Sequence, residues 1–162
     1  MVVLANGFSV YHWGGTLFAL DPAGASKWKI ALPDGNPVIA RPAAAPNSTV
    51  YARTRKTLVA ISHEGALLFS TALPEPPDTL PQSALAPVAL ADSTVAFLLT
   101  QDTLRCLGLD GSQRWTFELP AGEPDGPLVG AGDGRVIVST KRGIYAISSE
   151  GELAWTHVPP GR

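Results

Sequence analysis

Few residues in this 162-residue chain are able to do covalent or metal chemistry: three histidines, one cysteine and a scatter of serines and acids. His12, His63 and His157 fall in three different local settings: the end of one apolar run, a turn, and the middle of another run. A metal needs ligands that converge on one point, so no metal site is expected from them. A lone Cys106 excludes an internal disulfide and a zinc site built from several thiolates. No Gly-x-Ser-x-Gly elbow, phosphate-binding loop or His-Glu-x-x-His motif occurs, and no catalytic residue is assigned. Recognition chemistry is better supplied. Trp13, Arg55 and Arg142 stand in short stretches between apolar runs, and Trp and Arg are enriched at binding hot spots. These three are the candidate anchors for a partner.

The elements that carry them must be short. The chain holds 16 Gly and 15 Pro, which break or weaken helix interiors. A repeat supplies the organisation. Residues 16–33 read TLFALDPAGASKWKIALP, 57–74 TLVAISHEGALLFSTALP, 103–120 TLRCLGLDGSQRWTFELP, and 143–160 GIYAISSEGELAWTHVPP, set one column along. All four align on a glycine (Gly24, Gly65, Gly111, Gly151), at spacings of 41, 46 and 40. Four residues after each glycine stands an aromatic: Trp28, Phe69, Trp115 and Trp155. Five residues before it stands a small residue, Ala19, Ala60, Cys106 or Ala146, so Cys106 reads as a small buried apolar side chain. Nine after it stands Pro33, Pro74, Pro120 or Pro160.

A second series runs upstream. Asn6-Gly7, Asn47-Ser48, Asp92-Ser93 and Asp133-Gly134 each precede an apolar run, at spacings of 41, 45 and 41. Asn-Gly and Asp-Gly supply the positive φ of tight hairpins, and the Ser versions are weaker forms of that signal. Each repeat therefore holds four short strands. No segment keeps a 3.6-residue period for ten residues, which excludes a helical solenoid. Four antiparallel strands in about 41 residues, repeated, make one β-propeller blade per repeat. The blades span approximately 1–33, 34–74, 75–120 and 121–162, with prolines clustered at the seams, where they cannot donate to a ladder.

Charge narrows the partners. Twelve basic against 14 acidic residues give a net charge of -2, too little positive charge for general nucleic-acid binding. No apolar run reaches the roughly 18 residues of a membrane span. The opening MVVLANGFSVYHW lacks the basic and apolar regions of a signal peptide, which leaves a cytoplasmic protein or a piece of a longer, extracytoplasmic one. In a propeller, turns one-two and three-four share one face. There they collect Asp21, Glu64, Asp92, Asp110, Asp133, Glu150 and Glu152, half of all acids. The two-three turns collect Arg53, Arg55, Lys56, Lys141 and Arg142 beside Trp13, with acids added by the seams. A uniformly acidic face and a mixed one are expected.

The columns at Ala19, Leu20, Asp21, Gly24 and Trp28, and again at Ala146, Gly151 and Trp155 with Ser148 in place of Asp, resemble the pyrroloquinoline-quinone-like propeller repeat. The resemblance implies that the aligned aromatics dock between neighbouring blades. Trp28, Phe69, Trp115 and Trp155, with Gly24, Gly65, Gly111 and Gly151, are its blade-docking residues. The quinone-dependent dehydrogenases of that family carry a longer Asp-x-x-Thr-Gly form, and this chain lacks the Thr and the adjacent cysteines those enzymes use. It looks like the cofactor-free branch, which includes barrel-assembly lipoproteins and sensor domains of bacterial kinases.

The expected function is thus a non-catalytic scaffold for a protein, peptide or glycan, with no cofactor. A fragment of a quinone-dependent dehydrogenase is the alternative. Members of the family close rings of seven or eight blades, and this chain has four. An arc of a larger propeller is the first explanation, a homodimer closing a ring from two arcs the second, and a closed four-blade ring the third.

Overall fold

The computed structural model describes residues 1–120 and 122–160; Ala121, in the third proline seam, and Gly161 and Arg162, at the end of the fourth repeat, lie outside the described residues. Strands β1 (Val2–Val3), β2 (Ser9–Trp13), β3 (Thr16–Leu20) and β4 (Ser26–Ala31) form one antiparallel sheet in sequence order. Three more sheets repeat it: β5 (Ala43–Ala44), β6 (Val50–Arg53), β7 (Thr57–Ile61) and β8 (Leu67–Ala72); β9 (Val88–Ala89), β10 (Val95–Leu98), β11 (Thr103–Leu107) and β12 (Gln113–Glu118); β13 (Val129–Gly130), β14 (Val136–Thr140), β15 (Gly143–Ile147) and β16 (Leu153–His157). A short 3-10 turn, Gln82–Leu85, occupies the longest seam. These are four blades of a β-propeller arranged as an open arc.

The turn chemistry builds each blade locally. Gly7 and Gly134 take positive φ between the first and second strands, and Ser48 and Ser93 are driven to φ 65° and 66° at the same positions. In the third turn the aligned glycine closes the loop; Gly65 donates to the Ser62 carbonyl at 3.0 Å. Asp21, Ser62 and Ser148 fill one column, where each side-chain oxygen accepts two backbone N–H groups of its own turn. Gly108 occupies that column in the third blade, and there Asp110 accepts from the Ser112 N–H at 3.0 Å instead. Each third-to-fourth strand ladder also shifts register after the small residue of the column, at Ala19, Ala60, Cys106 and Ala146.

Strand alternation gives every blade a forward and a backward face, and the core lies between blades. Val10, Leu17 and Ala19 pack on Val50, Ala52, Val59 and Ile61. Tyr51, Leu58 and Ala60 pack on Val95, Phe97 and Leu107. Leu98, Leu104, Cys106 and Trp115 pack on Val136, Val138, Tyr145 and Ile147. Four blades thus make three apolar interfaces, and among the described residues the two blade faces at the ends of the arc have no neighbouring blade.

Candidate functional site

The two-three turns and the proline seams share one edge of the arc. The Gly14–Gly15 hairpin is clamped to the first seam: Leu32 donates to the Gly15 carbonyl at 2.8 Å and Val38 to the Gly14 carbonyl at 3.0 Å. A Cβ on Gly15 would meet the Asn36 carbonyl oxygen at 2.8 Å, so only glycine permits that approach. Trp13 ends β2 on this pinned base and is 81% exposed. Such an indole is a large apolar surface on a backbone fixed by the adjoining seam.

The other two candidate residues differ from it and from each other. Arg55 pairs with Glu75, at 3.2 Å, and with Asp78, both from the second seam, so its guanidinium is positioned by acids already present. Those carboxylates raise its pKa, chiefly through the hydrogen bond to Asp78. Arg142 and Lys141 form a ridge between two clefts, one containing Thr79, Pro81, Glu123 and Pro124, the other Gly143, Ile144 and Pro159. Asp125 borders both clefts and accepts from the Ser139 hydroxyl at 2.6 Å. The structure places Trp13, Arg55 and Arg142 on one edge, in three different blades.

Two charge expectations are corrected. Arg53, assigned by sequence to the mixed rim, is fully buried at the end of β6 and donates to the Leu98 carbonyl of the next blade. Burial pulls its pKa down to about 10. Strand alternation turns it towards the neighbouring blade, one position before the turn. The opposite face is also less acidic than expected. Lys27 pairs with Asp21 at 3.1 Å, Arg114 with Asp92 at 2.7 Å and Arg135 with Asp133 at 2.6 Å. Lys27 and Arg114 reach that edge from strands β4 and β12, where turn residues alone do not reveal them, and Arg135 stands just before β14, two residues after Asp133.

The seam acids do structural work as well. Asp34 accepts from the hydroxyls of Thr54 at 2.6 Å and Thr57 at 2.9 Å, tying the first seam to the second blade's turn. Burial raises its pKa, but these bonds and those from Asn36 outweigh it, and the carboxyl sits below its ordinary value. Cys106 is buried, and burial pushes its thiol pKa up. Among the described residues no three His, Cys, Asp or Glu side chains gather as a metal set, and no helix is long and apolar enough to cross a membrane.

The aligned aromatics and glycines form a series across the interfaces. Trp28 lies against Gly65, whose added Cβ would fall 2.7 Å from the indole. Its Nε1 donates to the His63 carbonyl at 2.8 Å. Trp115 repeats both contacts, against Gly151 and to the Ser149 carbonyl at 2.9 Å. Phe69 occupies the seat on Gly111 without a donor. Among the described residues Trp155 has no such seat and is 41% exposed, while the Gly24 seat is empty, with none of them within 4 Å of an added Cβ. Sequence reasoning missed the groove on the concave side, where Val3, Ala44, Ala89 and Gly130 of the four first strands meet. Each of those strands has only two paired residues, too few for a periodic signal.

No family model matches the chain, and no curated protein matches it by sequence. Solved structures do resemble it. BamB from Moraxella catarrhalis superposes with a TM-score of 0.75 at 16% identity, over 97% of this chain and 47% of that one. Virginiamycin B lyase from Staphylococcus aureus gives 0.72 at 12% identity, over 99% and 55%. BBS1N, in a complex with ARL6DN, gives 0.65 at 21% identity, over 99% and 53%. The first two are β-propeller proteins, and the likeness establishes the fold of this chain. The chain spans about half the length of each.

Proposed function

We propose that this chain is a non-catalytic propeller scaffold that binds a protein or peptide along the two-three-turn edge. The observation that carries the reading is Trp13: an exposed indole on a hairpin that the adjoining seam holds in place. Rigid aromatic anchors lose little entropy on binding, and an indole left in water has no folding role to explain it. Arg142 and Lys141, which form no ion pair among the described residues, flank a proline-lined cleft that also holds Glu123 and Asp125, which suits an extended segment of mixed charge. Arg55, already neutralised by Glu75 and Asp78, orients the rim between them. The likeness to BBS1N, solved in a complex with another protein, supports the use of such a scaffold for protein recognition.

A photo-crosslinking residue at Lys56, exposed on the same edge, compared with one at Leu109 on the opposite edge, tests this in the native cell. A defined adduct at 56, absent at 109 and abolished by Trp13→Ala or Arg142→Glu, is expected. Equal labelling at both positions, none at 56, or an adduct indifferent to both substitutions overturns the reading. Catalysis on a quinone is tested separately by titrating the protein with calcium and the cofactor. Saturable binding with dye-reducing activity replaces the scaffold by the dehydrogenase reading.

A further inference from the structure

The two ends of the arc are complementary, and we propose that two copies of this chain close head to tail into one ring, each seating Trp155 on Gly24 of the other. The inference is independent of the partner-binding edge. Its basis is the series of aromatic-on-glycine contacts. Three of the four aromatics are seated on the glycine of the following blade. What remains is one unseated aromatic at one end and one unoccupied glycine at the other. The carbonyl that stands two residues before the seat glycine receives the indole N–H in two interfaces. Its counterpart before Gly24 is that of Pro22, which accepts no hydrogen bond among the described residues.

The surfaces around this pair match in the same way. Ser9, Tyr11, Phe18 and Leu20 occupy the backward-face positions that are Val50, Ala52, Val59 and Ile61 in the second blade. The second set is fully buried, whereas the first remains half-exposed, with Tyr11 and Phe18 stacked at 5.1 Å. At the far end Ile144 is 36% exposed, while Leu17, Leu58 and Leu104 in its column are completely buried. Apolar sheet faces of this kind associate in water.

A second copy offers each face the chemistry it lacks. The arc superposes on 47% of a propeller chain, so two arcs make up a ring of about that size. Head-to-tail contacts that close after two copies give a two-fold axis along the ring axis and two identical seams. The concave groove of each arc would then become half of a central channel.

Sedimentation equilibrium of the 162-residue chain tests the proposal. The expected species has twice the 16.9 kDa monomer mass. Trp155→Ala removes one anchor from each seam and is expected to weaken the dimer on the order of a thousand-fold, two anchors of about thirty-fold each. Gly24→Asn is a second, independent variant. Asn tolerates a positive φ, and the space around Gly24 is open in the single arc, so the blade still folds. The added Cβ would strike the incoming indole, as it would at Gly65. Mixing the two variants leaves one intact seam per pair and is expected to restore a heterodimer weaker than the wild-type dimer. A monomeric wild type, open polymers in place of dimers, or dimers indifferent to both substitutions overturns the proposal.

Discussion

At the residue scale, the blade interfaces rest on a donor that one of them lacks. Phe69 fills the seat on Gly111 but leaves the Leu109 carbonyl, the counterpart of the His63 and Ser149 carbonyls, without an indole. Phe69→Trp is therefore expected to raise stability by about 1 kcal/mol and Trp28→Phe to lower it by about the same, both measured by urea unfolding. Ser48 and Ser93 hold left-handed φ values that cost a non-glycine residue about 1–2 kcal/mol. Ser48→Gly is expected to stabilise by about 0.5–1 kcal/mol, because strain relief exceeds the extra backbone entropy lost on folding. Ser93→Gly is expected to gain less in the same melts, since the Ser93 hydroxyl also accepts the Asn47 N–H at 3.1 Å.

At the scale of the element, each blade is a self-contained meander whose third turn serves its neighbour. The glycine there meets two demands, a positive φ and a flat surface for a ring, and substitutions separate them. Gly24→Ala meets only the backbone penalty, about 1 kcal/mol in an unpartnered arc. Gly65→Ala and Gly111→Ala place a Cβ within 2.8 Å of Trp28 and Phe69 and are expected to cost about 2–4 kcal/mol, the added overpacking of a close interface. Chemical denaturation of the three variants side by side reads the difference. The column of glycines was legible in the sequence because a turn is a local event of four or five residues. The register shift after Ala19 and its counterparts was not, since it depends on how two strands twist against each other.

At the scale of the whole molecule, charges are distributed through the ties between blades and turns. Asp21, Asp34, Asp92, Asp110 and Asp133 all have pKa values held below their ordinary 3.8. The unfolded chain therefore binds protons more readily than the folded one in acid. Stability is expected to be level above about pH 5 and to fall as pH drops through the depressed folded values. Asp34→Asn, which removes the charge and leaves one amide oxygen where two carboxylate oxygens accept from Thr54, Thr57 and Asn36, is expected to flatten that fall in thermal melts across the acid range and to lower stability at neutral pH.

The sequence by itself determined the blade: its four strands, its turns, its period and the aromatic column, all of them consequences of short-range backbone preferences repeated four times. It also placed Trp13 on an exposed edge, since the Gly14–Gly15 turn beside it is local. Only the tertiary structure decided which charges remain free. Arg53 was lost to an interface, and Asp21 and Asp92 were neutralised by basic side chains from β4 and β12, because pairing depends on where separate strands bring their side chains. The repeat count already pointed to an open arc; only the structure showed its unfilled ends, with Trp155 unseated and Gly24 unoccupied among the described residues. Whether an apolar face is covered depends on the neighbour standing next to it, and a repeat that specifies every blade alike does not say which blade comes last.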